Sequence, residues 1–372
     1  MTRISPDLKM EVYRQLALLP QRALSALDRA ESSNIEQGKE WLGNLINTVF
    51  PDDQHVAFYA LYEEEELLAL LPVRYVPDRG EILSLGNFYT SLYQPYLAAG
   101  LTVESLARLL EFIRDSSHTV SAMRFAPLDV DGRCYKLLLA ATREAHLLSF
   151  PFFCFGNWHL PVLTDWASYF SERPSQIKNT IKRKSKEFQQ AGGVLEIISG
   201  TDRLEFGIAA YQSVYSSSWK VPEPFPEFTP SLIRMLARNG WLRLGVATLN
   251  ELPIAAQIWV IAHGRASIFK LAYREDFKRY SAGTLLSAKL MECAIDADQV
   301  KEVDYLIGDD PYKASWMTHR RERWGIIAYN PRSIYGAFGA AKEHLGRLIK
   351  PAIVYLRNKV RRDSSLLSSR NS

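Results

Sequence analysis

Two short segments of this chain combine residue types that could hold a phosphate group and do acid–base chemistry. The first runs from Lys270 to Leu286, KLAYREDFKRYSAGTLL. An apolar strand end gives way to a basic turn, and the start of a helix follows at Thr284. A pyrophosphate needs unpaired backbone N–H groups at a positive helix end, plus a glycine that lets the backbone come close. Arg279, Tyr280, Ser281, Ala282, Gly283 and Thr284 supply that combination, with Tyr273 at the preceding strand end. The GxxxxGK[ST] pattern of a Walker loop is absent. Without further support the same residues describe an ordinary turn and helix cap.

The second segment runs from Glu302 to Trp316, EVDYLIGDDPYKASW. It reads as a strand carrying Asp304 and ending at Gly308, then Asp309, Asp310, Pro311, Tyr312 and Lys313. Polar groups at a strand end are common site material in α/β proteins, although Asp-Asp-Pro also makes a plain turn and cap. Asp304, Asp309 and Asp310 are carboxylates this segment offers and Tyr312 a phenol. Lys313 could pair with Asp309 or Asp310 on the surface.

The elements that would position these residues form a repeat. In the first half, strands at Val56–Leu61 and Leu67–Leu71 flank a tip of four glutamates, Glu63 to Glu66. An amphipathic helix follows at Val103–Asp115, then a strand at Ser121–Ala126 and a helix at Cys134–Leu148. In the second half, strands at Trp241–Thr248, Ile254–Ala262 and Ala266–Tyr273 precede the helix at Thr284 and a strand at Glu302–Ile307. From first strand to first helix is about 46 residues in one half and about 43 in the other. Each half then offers a Tyr-Lys pair, Tyr135-Lys136 and Tyr312-Lys313. Hairpins followed by helix–strand crossovers predict mixed α/β sheets.

Taken together, Tyr273, Tyr280-Ser281, Gly283, Leu285-Leu286, Asp304, Gly308-Asp309, Tyr312-Lys313 and Trp316 resemble the acetyltransferase domain of the CelD-like family, related to the Fem peptidoglycan aminoacyltransferases. The resemblance is good over Asp165 to Tyr329 and looser before it. It implies two tandem GNAT-like domains with mixed, mostly antiparallel sheets flanked by helices. The second would bind acetyl-CoA or another acyl-CoA as co-substrate at Tyr273 and Arg279 to Thr284, with catalysis by Asp304, Asp310, Tyr312 and Lys313. The equivalent loop of the first half, Ser91 to Gly100, has no Arg or Lys before its glycine, so that half is read as structural or acceptor-binding. The expected boundaries are 1–165, 166–345 and a basic tail at 346–372.

The expected activity is N- or O-acylation of a sugar, an amine or a cell-envelope or exopolysaccharide precursor. One alternative is a Fem-like aminoacyl-tRNA-dependent ligase; another is a non-catalytic accessory protein of exopolysaccharide assembly. A candidate helix at Ser175–Gln190 carries Lys178, Lys182, Arg183, Lys184 and Lys186. It reads first as a solvated face between the halves and second as an anion-binding surface. A net charge of +4 on 372 residues is too weak to predict a nucleic-acid partner. Three scattered cysteines and seven histidines without HxH or HxxxH spacing predict no disulfide framework and no metal. The segment Met1–Met10 carries Arg3, Asp7 and Lys9 and lacks the apolar core of a signal peptide, and no stretch reaches the ~18 apolar residues needed to span a bilayer. A cytoplasmic location is expected. The tail, Lys342 to Arg362, reads first as a helix packed on the domain and then a frayed end; the second reading is a basic amphipathic helix on an anionic membrane surface.

Overall fold

A computed structural model of the chain describes residues 8–117 and 119–349. The first half runs β1 (Leu8–Tyr13), α1 (Gln21–Glu31), α2 (Lys39–Val49), β2 (Val56–Glu63), β3 (Glu66–Val76), β4 (Glu81–Ser84), β5 (Tyr96–Leu97), α3 (Val103–Asp115), β6 (Ala122–Asp129), α4 (Arg133–Glu144) and β7 (Leu148–Pro161). Two helices, α5 (Trp166–Ser171) and α6 (Ser175–Gln190), lead into β8 (Gly193–Ile198), α7 (Leu204–Ser216), α8 (Phe228–Arg238), β9 (Leu242–Leu249), β10 (Leu252–Ala262), β11 (Arg265–Tyr273), α9 (Ala282–Glu292), β12 (Glu302–Asp304) and β13 (His319–Tyr329). A last helix covers residues 334–349.

Local sequence explains the turns. The glutamate tip closes β2 on β3 with Glu64 at φ 52°, and Glu63 and Glu66 pair across it. Asn250 and Glu251 (φ 48° and 68°) turn β9 into β10; His263 and Gly264 (φ 52° and 76°) turn β10 into β11. Two successive left-handed residues match the twist of a tight hairpin. Thr102 caps α3 by accepting the Ser105 N–H at 3.1 Å.

The two halves repeat one order, strand–helix–helix–three strands–helix–strand, with the two-residue β5 added in the first, and then diverge. Tyr135-Lys136 lies in α4, whereas Tyr312-Lys313 lies in a single 3-10 turn, Pro311–Ser315. Among the described residues all strands join one continuous 13-stranded sheet, β1-β2-β3-β4-β6-β13-β7-β12-β11-β10-β9-β8, with β5 on β3. Of these strand pairs, only β4–β6 and β11–β12 are parallel. The last strand of each half is exchanged: β7 adds to β12 of the second half, β13 adds to β6 of the first. The two exchanged strands also pair with each other, from His319–His159 to Tyr329–Leu148.

Alternation along β2 sends Phe58, Ala60 and Tyr62 to one face and Ala57, Tyr59 and Leu61 to the other. The first face belongs to a core built by α1 and α2 together with α7 and α8, so both halves share it; Tyr89 stacks on Phe228 at 4.0 Å between ring centres. The opposite face is covered by α3 and α4 over the first half, and by α6 and α9 over the second.

Candidate active site

The expected strand Glu302–Ile307 forms ladder only as far as Asp304. Beyond it Leu306 (φ 52°) and Gly308 (φ 103°) turn the chain away, and the Tyr305 N–H bonds Trp158 O at 2.9 Å. As a result β11 and β12 pair only over Arg265–Ser267, while β11 continues to Tyr273 on the arm of β10. Two parallel strands that part leave a wedge, and the first turn of α9 faces it.

This wedge is the floor of a cleft of about 720 Å³. Ile268 to Tyr273 line one wall, and Tyr305, Ile307, Asp310, Tyr312, Lys313 and Trp316 the other. Gly283, Thr284 and Ser287 of α9 close one end, with Gln176, Ile177 and Thr180 of α6, and Trp219 and Lys220, at the rim. Of the residues expected from sequence, the structure brings Tyr273, Gly283, Thr284, Asp310, Tyr312 and Lys313 to this cleft. Arg279, Tyr280, Ser281, Ala282, Asp304 and Asp309 are not among the lining residues.

Each placement has a local cause. The first backbone N–H groups of α9 lack intrahelical acceptors and carry the positive end of the helix. Gly283 is helical without a left-handed φ, so its value lies in open space: a Cβ there would meet only the Tyr273 ring, at 3.7 Å. Gln257, nearly inaccessible on β10, donates to Gly283 O and Ser287 Oγ, both at 2.8 Å, and fixes the helix start. Tyr280 and Ala282 are buried under α6, where Tyr280 meets Phe188. Exposed Arg279 donates to Tyr280 Oη at 2.8 Å and stacks on that ring.

Asp304 is buried, with its carboxylate fully engaged. It accepts from Asn157 Nδ2 at 2.6 Å, the Leu306 N–H at 2.7 Å and Arg321 Nη2 at 2.5 Å. Arg321 also bonds Asn157 and Glu302, tying β7, β12 and β13 together. Asp309 accepts from Arg320 and from Trp158 Nε1, and the Arg320 hydrogen bonds hold its carboxyl below the usual range. Lys313 is buried rather than on the surface. Its Nζ donates to Ile307 O at 2.7 Å and Gly308 O at 3.2 Å and pairs with Asp310 at 3.3 Å. Burial pulls its pKa down, against Asp310. Tyr312 packs edge-on against Tyr305, and desolvation pushes its phenol up to about 12. It therefore stays a proton donor.

Sequence reasoning missed three cleft residues. Lys270 projects from β11 and pairs with Glu223 at 2.8 Å beside Tyr89. Lys220 is half-buried, and desolvation followed by the Lys270 charge lowers its pKa to about 8. Gln257 is the third. Lys270 and Gln257 are polar residues inside apolar strands, a readable signal; Lys220 sits in a loop whose sequence carries none.

The expectations about metals and spans concern absences, and among the described residues no acidic, His or Cys cluster could hold a metal and no helix is long and apolar enough to cross a membrane. Residues 175–314 match the family model of the acetyltransferase (GNAT) domain. No curated protein matches the chain in sequence. Among solved structures it is similar to FemX, at 10% identity over 91% of this chain and 99% of that one, TM-score 0.58. It is also similar to L-PGS from Bacillus licheniformis (10%, 84% and 92%, TM-score 0.53). A third is the C-terminal domain of a candidate lysylphosphatidylglycerol synthetase from Agrobacterium fabrum (12%, 86% and 96%, TM-score 0.52). Residues 175–314 thus carry a GNAT-type acetyltransferase domain, and the described residues form two similar mixed α/β halves.

Proposed function

We propose that the chain transfers an acyl group from acyl-CoA to an amine or hydroxyl of a sugar, a small amine or a cell-envelope or exopolysaccharide precursor, as a CelD-like enzyme of the cytoplasm. The wedge between β11 and β12 at the start of α9 carries this reading. The unpaired edge of β11 beyond Ser267 can bond an extended amide-bearing chain, and the backbone N–H of Gly283, in the first turn of α9 at the cleft, suits a pyrophosphate oxygen. The acceptor nitrogen or oxygen attacks the thioester carbonyl, losing its proton to a cleft base. The tetrahedral intermediate then collapses and releases the thiolate, which takes a proton from Tyr312. Asp310 and neutral Lys220 are the cleft groups able to take the acceptor's proton. Asp304 supports the wall on which Asp310 stands. Lys313 holds two carbonyls of that wall and adds positive charge near the developing oxyanion.

A second reading, aminoacyl transfer from aminoacyl-tRNA in the Fem manner, gains support from α6. Its Gln176, Ile177 and Thr180 line the cleft while Lys182, Arg183 and Lys186 stay exposed beside the mouth. Native mass spectrometry of the purified protein with a panel of acyl-CoAs separates the readings. Acyl-CoA complexes and acylated acceptors support the first. Binding of aminoacyl-tRNA that weakens steeply with salt, without any CoA complex, replaces it with the second. CoA binding without turnover would favour an accessory protein that keeps the fold alone.

A further inference from the structure

The helix over residues 334–349 is laid on the protein the wrong way round for a packed surface helix. Its small residues face inward. A Cβ on Gly336 would fall 2.2 Å from Asn330 O and 2.6 Å from Ser121 O, and one on Gly339 would fall 2.5 Å from the Tyr329 ring. Ala340 is 3% exposed on that same side. Only glycine and alanine allow this close approach, so the orientation is written into the sequence. The large apolar residues face out: Ile334 is 86% exposed, Phe338 71%, Leu345 55% and Leu348 62%. Their spacing places them in one stripe along the helix. A stripe of this size on a soluble surface marks an interaction site.

Charge identifies the occupant. Lys342, on the helix, is exposed, and exposed Arg332, just ahead of the helix, pairs with Asp115. The sequence then continues with Lys350, Arg357, Lys359, Arg361 and Arg362 against a lone Asp363, interleaved with Ile353, Val354 and Leu356. The part of the expected tail beyond residue 349 lies outside the described residues. Pairing two copies through the stripe would bring two such cationic segments together, whereas an anionic surface attracts them.

We infer that the apolar stripe of helix 334–349 docks the protein on the surface of an anionic phospholipid bilayer, with the basic residues that follow supplying attraction to the headgroups. Apolar side chains entering the headgroup–acyl boundary next to Lys and Arg is how interfacial helices bind. This inference stands apart from the cleft and its donor.

Sedimentation of the full chain with phosphatidylcholine vesicles, with and without phosphatidylglycerol, tests it. The native protein pellets with the phosphatidylglycerol vesicles and is released by high salt. The Phe338→Glu, Leu345→Glu double variant, altered only at exposed positions and melting like the native protein, binds at least ~10-fold more weakly. A variant with Arg357, Lys359, Arg361 and Arg362 changed to Gln loses the preference for phosphatidylglycerol. Native protein that stays in the supernatant, or a double variant that pellets unchanged, overturns the inference. So does a dimer, seen by light scattering without vesicle binding, that the double variant dissociates.

Discussion

Lys220 shows how a cleft converts a side chain into a reagent. At pH 8 an ordinary lysine is about 0.3% neutral, whereas desolvation and the neighbouring Lys270 bring Lys220 to half neutral there. Its free amine should be acetylated by acetic anhydride at pH 8 well ahead of exposed Lys182 and Lys186, and CoA should protect it. Peptide mass spectrometry of a brief reaction reads this, and equal rates at Lys220 and Lys182 would contradict it. The sign of the linkage follows: between about pH 8 and 10.5 the unfolded chain holds a proton at Lys220 that the folded one lacks. Stability from this group therefore rises with pH across that window and is reduced below it. Lys313 acts differently. Lys313→Met orphans Ile307 O and Gly308 O, so it should lower stability by about 1–3 kcal/mol as well as turnover; unchanged thermal melting would mean those bonds do not hold the loop. Arg321→Met leaves Asp304 buried without its cation and should cost about 3–5 kcal/mol in denaturant unfolding, with less than 1 kcal/mol contradicting the tie it makes among three strands.

The strand exchange makes the halves interdependent. A second-half fragment, residues 166–349, would lack β7 and leave β12 and β13 with open edges. It should aggregate or fail to give a cooperative melt by circular dichroism, whereas the whole chain melts as a unit. A soluble, cooperatively folding fragment would show that the exchange is dispensable. The same exchange marks the limit of what the sequence conveys. Hairpins such as β2–β3 and β9–β10 and the helices α3 and α6 were legible because hydrophobic periodicity and turn residues are local. The places of β7 and β13 in the sheet were not, since register between strands far apart in sequence leaves no local trace. At the site, the glycine in the first turn of α9 and the polar segment Asp310 to Lys313 announced themselves by composition. The roles of Asp304 and Lys313 depended on neighbours such as Arg321, Asn157 and Ile307 O, which only the fold assembles. The early end of β12 came from left-handed turns at Leu306 and Gly308 that an apolar run concealed.

For the whole molecule, the sequence predicts a single donor site despite the repeat, because the loop Ser91 to Gly100 has no Arg or Lys before its glycine, and the structure adds physical reasons to expect the same. In the first half the loop that would receive an anion already spends two N–H groups internally: Ser91 and Leu92 donate to half-buried Glu36 at 2.9 and 3.0 Å. Thr102 caps α3, and β5 pairs with β3 where the other half keeps its cleft open. The proposed function requires that a CoA donor binds once per chain at the start of α9. Titration calorimetry of CoA into the native protein and into Gly283→Val measures it directly. The account predicts one site per chain in the native protein, weakened at least ~10-fold in a Gly283→Val protein that keeps its melting temperature, because the valine fills the space before Tyr273. Two sites per chain, or an unchanged affinity in the folded variant, would contradict it.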